Sequence, residues 1–156
     1  MKRKQYDIYT DGSYRPDCYG SWCAILVEKG TPPKETTLKE HVFDTTIGRM
    51  ELTPIVVSLE SLKEPCDVVV YSDSQYAINC ISKWIGLWRQ CNYKNLRGEP
   101  IKNLDLIERI YLQMVRHRIK AKWIRGHNGH VYNERCNKIA QDLTLKMKLG
   151  IIKRKI

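Results

Sequence analysis

The chain has 156 residues with 27 Lys and Arg against 17 Asp and Glu, a net charge of +10, and is 42% hydrophobic and 28% charged. That length suits one globular domain, residues 1–156, and the composition excludes wholesale disorder. No run approaches the ~18 apolar residues of a membrane span, and Met1-Lys2-Arg3-Lys4 leads into a polar alternating segment, so neither a membrane-spanning nor a secreted chain is expected.

Residues 4 to 11 alternate, with Tyr6 and Ile8 on one side, which predicts a strand that delivers Asp11 at its end. A turn from Asp11 to Gly20 leads to a second strand over Ser21 to Lys29. The breaker Gly30-Thr31-Pro32-Pro33 leads to a third over Thr36 to Asp44, and the short connections make an antiparallel meander. From about Arg49, Leu52, Ile55, Val56, Leu59 and Leu62 recur at helical spacing. A proline is tolerated only near a helix start, so Pro54 puts Glu51 in the first turn.

Asp67 to Asp73 is a β-branched run suited to a buried strand, with Ser74 placed to cap a helix around Tyr76 to Ile81. Lys83 to Asn103 is hydrophilic and predicts a basic protrusion, in which Trp84, Trp88 and Tyr93 stand among Lys83, Arg89, Lys94, Arg97 and Lys102. Leu104 to Met114 restores a helix, and Ile119, Ala121 and Trp123 alternate as a last strand. Gly126 to Tyr132 form a loop before a C-terminal helix containing Asn137. Met50 and Trp123 are expected in the core, and the basic tail from about 150 to 156 is expected to fray.

The order βββαβα, protrusion, αβα predicts an α/β fold with a mixed sheet whose later strands are parallel and joined by right-handed crossovers. Sites in such sheets gather at the carboxyl ends of strands. Six scattered cysteines without a C-x-x-C pair fit neither a zinc knuckle nor a disulfide scaffold, and a reducing cytoplasm is the simplest compartment. The positive excess would steer a polyanion, whether nucleic acid, anionic membrane or acidic protein, or would merely solubilise the surface.

Asp11, Glu51 and Asp73 fall where the pattern makes them neighbours. Packed carboxylates repel, so such a cluster ordinarily needs a cation, and oxygen-only ligands point to Mg²⁺ or Mn²⁺. Strand-end aspartates also serve as turn and cap residues.

The local wording goes further. Asp11-Gly12-Ser13 follows a strand, Arg49-Met50-Glu51-Leu52 opens a helix, and Ser72-Asp73-Ser74-Gln75-Tyr76 closes another strand. Near the end stands Trp123-x-x-Gly126-His127-x-Gly129-His130-x-x-Asn133-Glu134-x-Cys136. In this order and spacing, from about Tyr6 to Leu145, the chain resembles the type 1 ribonuclease H family. The resemblance implies a five-stranded sheet flanked by helices and an endonuclease that cuts the RNA strand of an RNA/DNA hybrid with two Mg²⁺. It implies that Asp11 bridges both metals, that Glu51 and Asp73 complete the leaving-group site, and that His127 is the mobile loop histidine that assists proton transfer or product release. His130 is expected to be a structural partner of that loop.

Ser13, Arg49, Ser74 and Gln75 in these motifs, with Lys83, Trp84, Trp88, Arg89 and Lys94 of the protrusion, are the candidate contacts to the hybrid. At least one of the two tryptophans is expected to pack between helices instead. A monomer is expected.

The chain departs from the family at Asn137, where the resemblance implies a fourth carboxylate. An amide oxygen can ligate Mg²⁺ but brings no charge, so the site that activates the attacking water is expected to be weakened. Asp142, five residues on and about 140° round the helix at 3.6 residues per turn, points elsewhere. Ile47-Gly48 stands where many members carry Asn residues that touch the hybrid. Two readings remain: a hydrolase of RNA in hybrids, active or attenuated, and an inactive module that binds hybrids. A transposase or integrase relative is disfavoured because Glu51 lies between the two Asp residues.

Overall fold

The computed structural model describes residues 2–126 and 129–155. Its elements run β1 (Gln5–Arg15), β2 (Tyr19–Glu28), β3 (Lys34–Val42), α1 (Ile47–Ser61), β4 (Asp67–Ser72), α2 (Gln75–Asn79), a π-helical turn (Cys80–Trp84), α3 (Ile85–Gln90), α4 (Leu104–Arg116), β5 (Arg118–Trp123) and α5 (Val131–Lys148). The strands form one sheet in the order β3-β2-β1-β4-β5. The first three strands pair antiparallel, while β1 with β4 and β4 with β5 pair parallel. Short turns can only return a strand antiparallel, and a parallel neighbour needs a longer crossover, here a helical one. The expected mixed α/β sheet is the one found.

The sheet is covered on both faces. Ile8, Trp22, Ala24, Leu26 and Val70 pack with Leu52, Ile55 and Leu59 of α1 and Ile107 and Ile110 of α4. Cys23, Ile25 and Val27 pack with Cys136 and Ala140 of α5. Successive β2 residues thus go to opposite layers, which is why this strand reads as a continuous apolar run. All six cysteines are free thiols. Among the described residues no helix is long and apolar enough to cross a membrane.

Several boundaries differ from the sequence reading. Strand β1 does not end at Asp11; it pairs with β2 as far as Arg15↔Tyr19, because Gly12, Ser13 and Tyr14 keep the antiparallel ladder after the parallel partner β4 has left. Pro54 lies buried inside α1, which starts at Ile47 behind the cap Thr46, so Glu51 lies beyond the first turn. Without an N–H at residue 54, the Met50 carbonyl loses its helical donor. That carbonyl faces β1: a Cβ at Gly12 would lie 2.6 Å from the Met50 oxygen, so only glycine permits this approach.

Ser74 caps as expected, accepting a hydrogen bond from the Ala77 N–H at 3.0 Å. Helix nevertheless continues to Gln90 through the π-helical turn, absorbing the first part of the expected protrusion. Trp123 is a correction: it is 46% exposed, because β5 ends there, at the sheet margin. Met50, at 2% exposure, is core as expected. In the tail expected to fray, the Arg154 guanidinium pairs with Asp44 and lies 4.9 Å from the centre of the Phe43 ring.

Candidate active site

The parallel ladder between β1 and β4 closes at Tyr9↔Tyr71. Asp11 and Asp73 each stand two residues beyond that rung, which brings them side by side at the carboxyl edge of the sheet. Helix α1 delivers Glu51 to the same edge, one residue after the Met50 carbonyl that abuts Gly12. The Trp123 indole N–H donates to the Asp73 carbonyl at 2.9 Å and the Ile124 N–H to the Ser72 carbonyl at 2.9 Å, which fixes the end of β4.

Asp11 is 7% exposed and has no ion pair among the described residues. Burial first, and the Asp73 charge second, push its carboxyl up to about 6, although hydrogen bonds from Asn137 and the Gly12 N–H pull the other way. Burial and the Asp73 charge also raise Glu51, against the opposing hydrogen bond donated by the Ser74 hydroxyl. The three acids therefore feel one another, as like charges in a poorly solvated corner must.

Asn137 reaches this corner from α5. The neighbouring Cys136 is buried and its thiol donates to the Tyr9 carbonyl at 3.3 Å, pinning the start of the helix over β1. The Asn137 amide then donates from Nδ2 to Oδ2 of Asp11 at 2.9 Å, while the Gly12 N–H donates to Oδ1 at 2.9 Å. Both oxygens of the most buried acid thus hold a hydrogen bond from the protein. Asp142 points away, as expected, and pairs with Lys146 at 3.0 Å.

Asp11, Glu51 and Asp73, with the Asn137 amide oxygen after a rotation of its side chain, form a set of hard oxygen donors. That chemistry fits a divalent cation of the Mg²⁺ or Mn²⁺ type, and the mutual charge burden on Asp11 and Glu51 is what such a cation would relieve. Among the described residues, no three His, Cys, Asp or Glu side chains already close into a metal cage.

The remaining candidates are placed variously. His127 lies outside the described residues. His130 immediately precedes α5 without capping it through its side chain. The Ser13 hydroxyl is within 3.0 Å of that of Thr144. Arg49 makes a two-pronged pair with Asp105 at 2.9 and 2.7 Å, which ties α1 to α4. Gln75, Lys83, Arg89 and Lys94 are exposed, and Arg89 lies 4.0 Å over the Tyr111 ring. Trp84 and Trp88 are half-buried against the core, their rings 5.7 Å apart.

Two glycines named in the sequence motifs shape the site in a way that the sequence reading does not state. Gly12 admits the Met50 carbonyl, and at Gly126 a Cβ would lie 2.9 Å from Oδ2 of Asp73, so the backbone at Gly126 rests directly on that carboxylate. A lone glycine beside a strand acid is the signal that could have found the first, since it marks a close backbone approach.

Comparison with known proteins gives a consistent picture. A family model described as RNase H matches residues 3–144. The chain is 43% identical over 142 residues to a ribonuclease H of Enterobacter sp. (strain 638), covering 88% of each chain, and 41% identical over 140 residues to ribonuclease HI of Haemophilus influenzae, again covering 88% of each. It is 40% identical over 148 residues to a ribonuclease H of Caldicellulosiruptor saccharolyticus, covering 93% of this chain and 99% of that one. The fold is similar to that of LC9-RNase H1, described as a type 1 RNase H with the type 2 active-site motif. There the TM-score is 0.83 at 22% identity, covering 92% of this chain and 74% of that one. It is also similar to the PFV RNase H domain, with a TM-score of 0.72 at 20% identity, covering 94% and 95%.

Proposed function

The chain belongs to the ribonuclease H family, and from that premise we propose that it is an endonuclease cutting the RNA strand of RNA/DNA hybrids with two Mg²⁺ or Mn²⁺ ions, its rate attenuated by Asn137. As a ribonuclease H it is a hydrolase that acts on such hybrids. The observation that carries the site assignment is Asp11: a carboxylate 7% exposed, pushed up to about 6 by burial and by Asp73, at the edge where Glu51 also arrives. Strongly perturbed acids gathered in one corner are the signature of a functional site.

Asp11 would hold both ions, Glu51 and Asp73 the one nearer the leaving group, and Asn137 the one nearer the attacking water. Divalent cations bound there supply charge stabilisation at the attacking and leaving oxygens and lower the pKa of the attacking water. The protein's own contribution is orientation. Gly12 holds one Asp11 oxygen through its N–H, and the Ser74 hydroxyl holds Glu51. Asn137 is the weak member, because its amide satisfies Asp11 with a hydrogen bond. To offer its oxygen instead, it must give up that bond, and it then brings no charge. The half-buried Trp84 and Trp88 favour a scaffold role, with exposed Lys83, Arg89 and Lys94 supplying charge toward phosphates. The RNA strand would be distinguished from the DNA strand through its 2′-hydroxyls.

The test is cleavage of an end-labelled RNA/DNA hybrid beside a duplex DNA of the same sequence. The expected result is cutting of the RNA strand alone, with Mg²⁺ or Mn²⁺, abolished by chelator. Tight hybrid binding without cleavage in either metal would overturn the catalytic reading and leave a binding module.

A further inference from the structure

A cleft of about 790 Å³ opens on the far side of Asn137, between the end of β1, β3 and α5. Arg15, Lys39 and Lys138 line it, with Tyr14, Gln141 and Asp142. Each cation is one structural step from the candidate active site. Arg15 lies on β1 four residues beyond Asp11, so by strand alternation it is on the same face. Lys39 lies on the rung of Asp11 itself, since Asp11 pairs with Cys23 and Cys23 pairs with Lys39. Lys138 follows Asn137 on α5.

The charges in this cleft are not used by the fold. Arg49, Arg109, Arg135 and Arg154 each meet a carboxylate, whereas Arg15, Lys39 and Lys138 form no ion pair among the described residues. The Arg15 Nε is buried and has no hydrogen-bond partner there, an orphan donor of the kind that proteins rarely leave. The one acid in the lining, Asp142, is occupied by Lys146. The walls are fixed in advance: the Ser21 hydroxyl donates to the Ala140 carbonyl and the Ser13 and Thr144 hydroxyls meet, which rivets α5 to the β1–β2 hairpin. A preformed concavity with three unspent cations and one neutralised acid is built for an oxyanion.

We propose that this cleft is a phosphate subsite that holds a phosphodiester of the bound hybrid beyond the point of cleavage. The assignment rests on the ribonuclease reading above and adds to it where the substrate runs. Four strand residues at ~3.4 Å each put Arg15 about 14 Å from Asp11. The subsite would hold the strand on the α5 side of the sheet, the side away from the α1–α4 seam.

The experiment scans single methylphosphonate replacements, which remove the charge of one phosphate at a time, along both strands of a hybrid. Binding is measured across a range of salt for the parent, for Lys39→Gln/Lys138→Gln and for Lys39→Arg/Lys138→Arg. Both lysines are exposed, and thermal melts verify that each variant folds. For the parent, one position away from the scissile phosphate should cost roughly tenfold in affinity. In the Gln variant that penalty should vanish and the salt slope fall by about one; the Arg variant should behave as the parent. A penalty profile identical in the parent and the Gln variant overturns the subsite, even if the parent binds and cuts normally. A parent that neither binds nor cuts hybrids overturns both the subsite and the functional reading.

Discussion

At the seam between α1 and α4, Asp105 accepts two hydrogen bonds from Arg49, and these hold its carboxyl down at about 2. One layer away, at the carboxyl edge of β1, Asp11 is buried with Asp73 and Glu51 acting on it, and its carboxyl rises to about 6. The chain therefore has cations to spare and places them on structural acids, while leaving Asp11 and Glu51 without one among the described residues. Unlike the seam, the corner is arranged at a cost to the folded state. That cost is what a divalent cation bound there, as in the proposed function, would remove.

The contrast is broken most directly by Asp11→Asn. Cleavage should fall by about 10³-fold, as for loss of a central transition-state stabiliser. The melting temperature should hold or rise, because a buried charge facing like charges is removed. A clear drop in Tm would assign Asp11 to the structure and erase the difference between the two regions.

Next in size is Asn137→Asp. Restoring an anionic oxygen and removing the amide donor from Asp11 should raise single-turnover cleavage by about 10²-fold, equivalent to about 2.7 kcal/mol of barrier, while hybrid affinity hardly moves. The same change adds a like charge at the corner and should lower stability in the absence of metal. Equal rates for the two proteins would mean that the amide is an adequate ligand.

His117 sharpens the comparison with a buried group at the other end of the sheet. Its Nδ1 accepts from the Cys66 N–H at 3.0 Å, and burial, with the Arg116 charge second, lowers its pKa from 6.5. The unfolded chain then binds the additional proton, so this contribution to stability is complete above pH 6.5 and is lost as pH falls below it. Melting followed from pH 7.5 to 5 should show that decline in the parent and a shallower one in His117→Gln; parallel curves would remove His117 as the cause.

The smallest effect belongs to the seam. Asp105→Asn should cost less than ~1 kcal/mol, because Asp105 is largely exposed and a solvated pair is screened, and the loss should shrink further in high salt. A larger, salt-independent loss would show that the seam is as specialised as the corner.

Much of this arrangement is legible in the sequence. Alternation through Ile8 and the β-branched run ending at Ser72 place two strands, and the crossover rule makes them parallel neighbours, so Asp11 and Asp73 are assigned to one edge from local pattern alone. Glu51 is assigned to that edge too, although by an argument that misjudges Pro54. Helix propensity alone places Pro54 near a helix start, whereas in the fold it is buried inside α1, and the carbonyl it frees lies against Gly12 of another element. Trp123 fails for a related reason: period-2 patterning gives the side of a strand, not where the covering helix stops.

Sequence by itself therefore determines the order of elements, the mixed sheet and the identity of the acids, because these follow from short-range periodicity and chain connectivity. The tertiary structure alone decides that Asp11 is buried, that the Asn137 amide spends its hydrogen bond on that acid, that Gly126 rests on Asp73, and that Arg15, Lys39 and Lys138 share one cleft. These depend on ångström-scale distances between segments as far apart as 126 residues, and hydrogen bonds and desolvation change steeply over distances that no local pattern encodes.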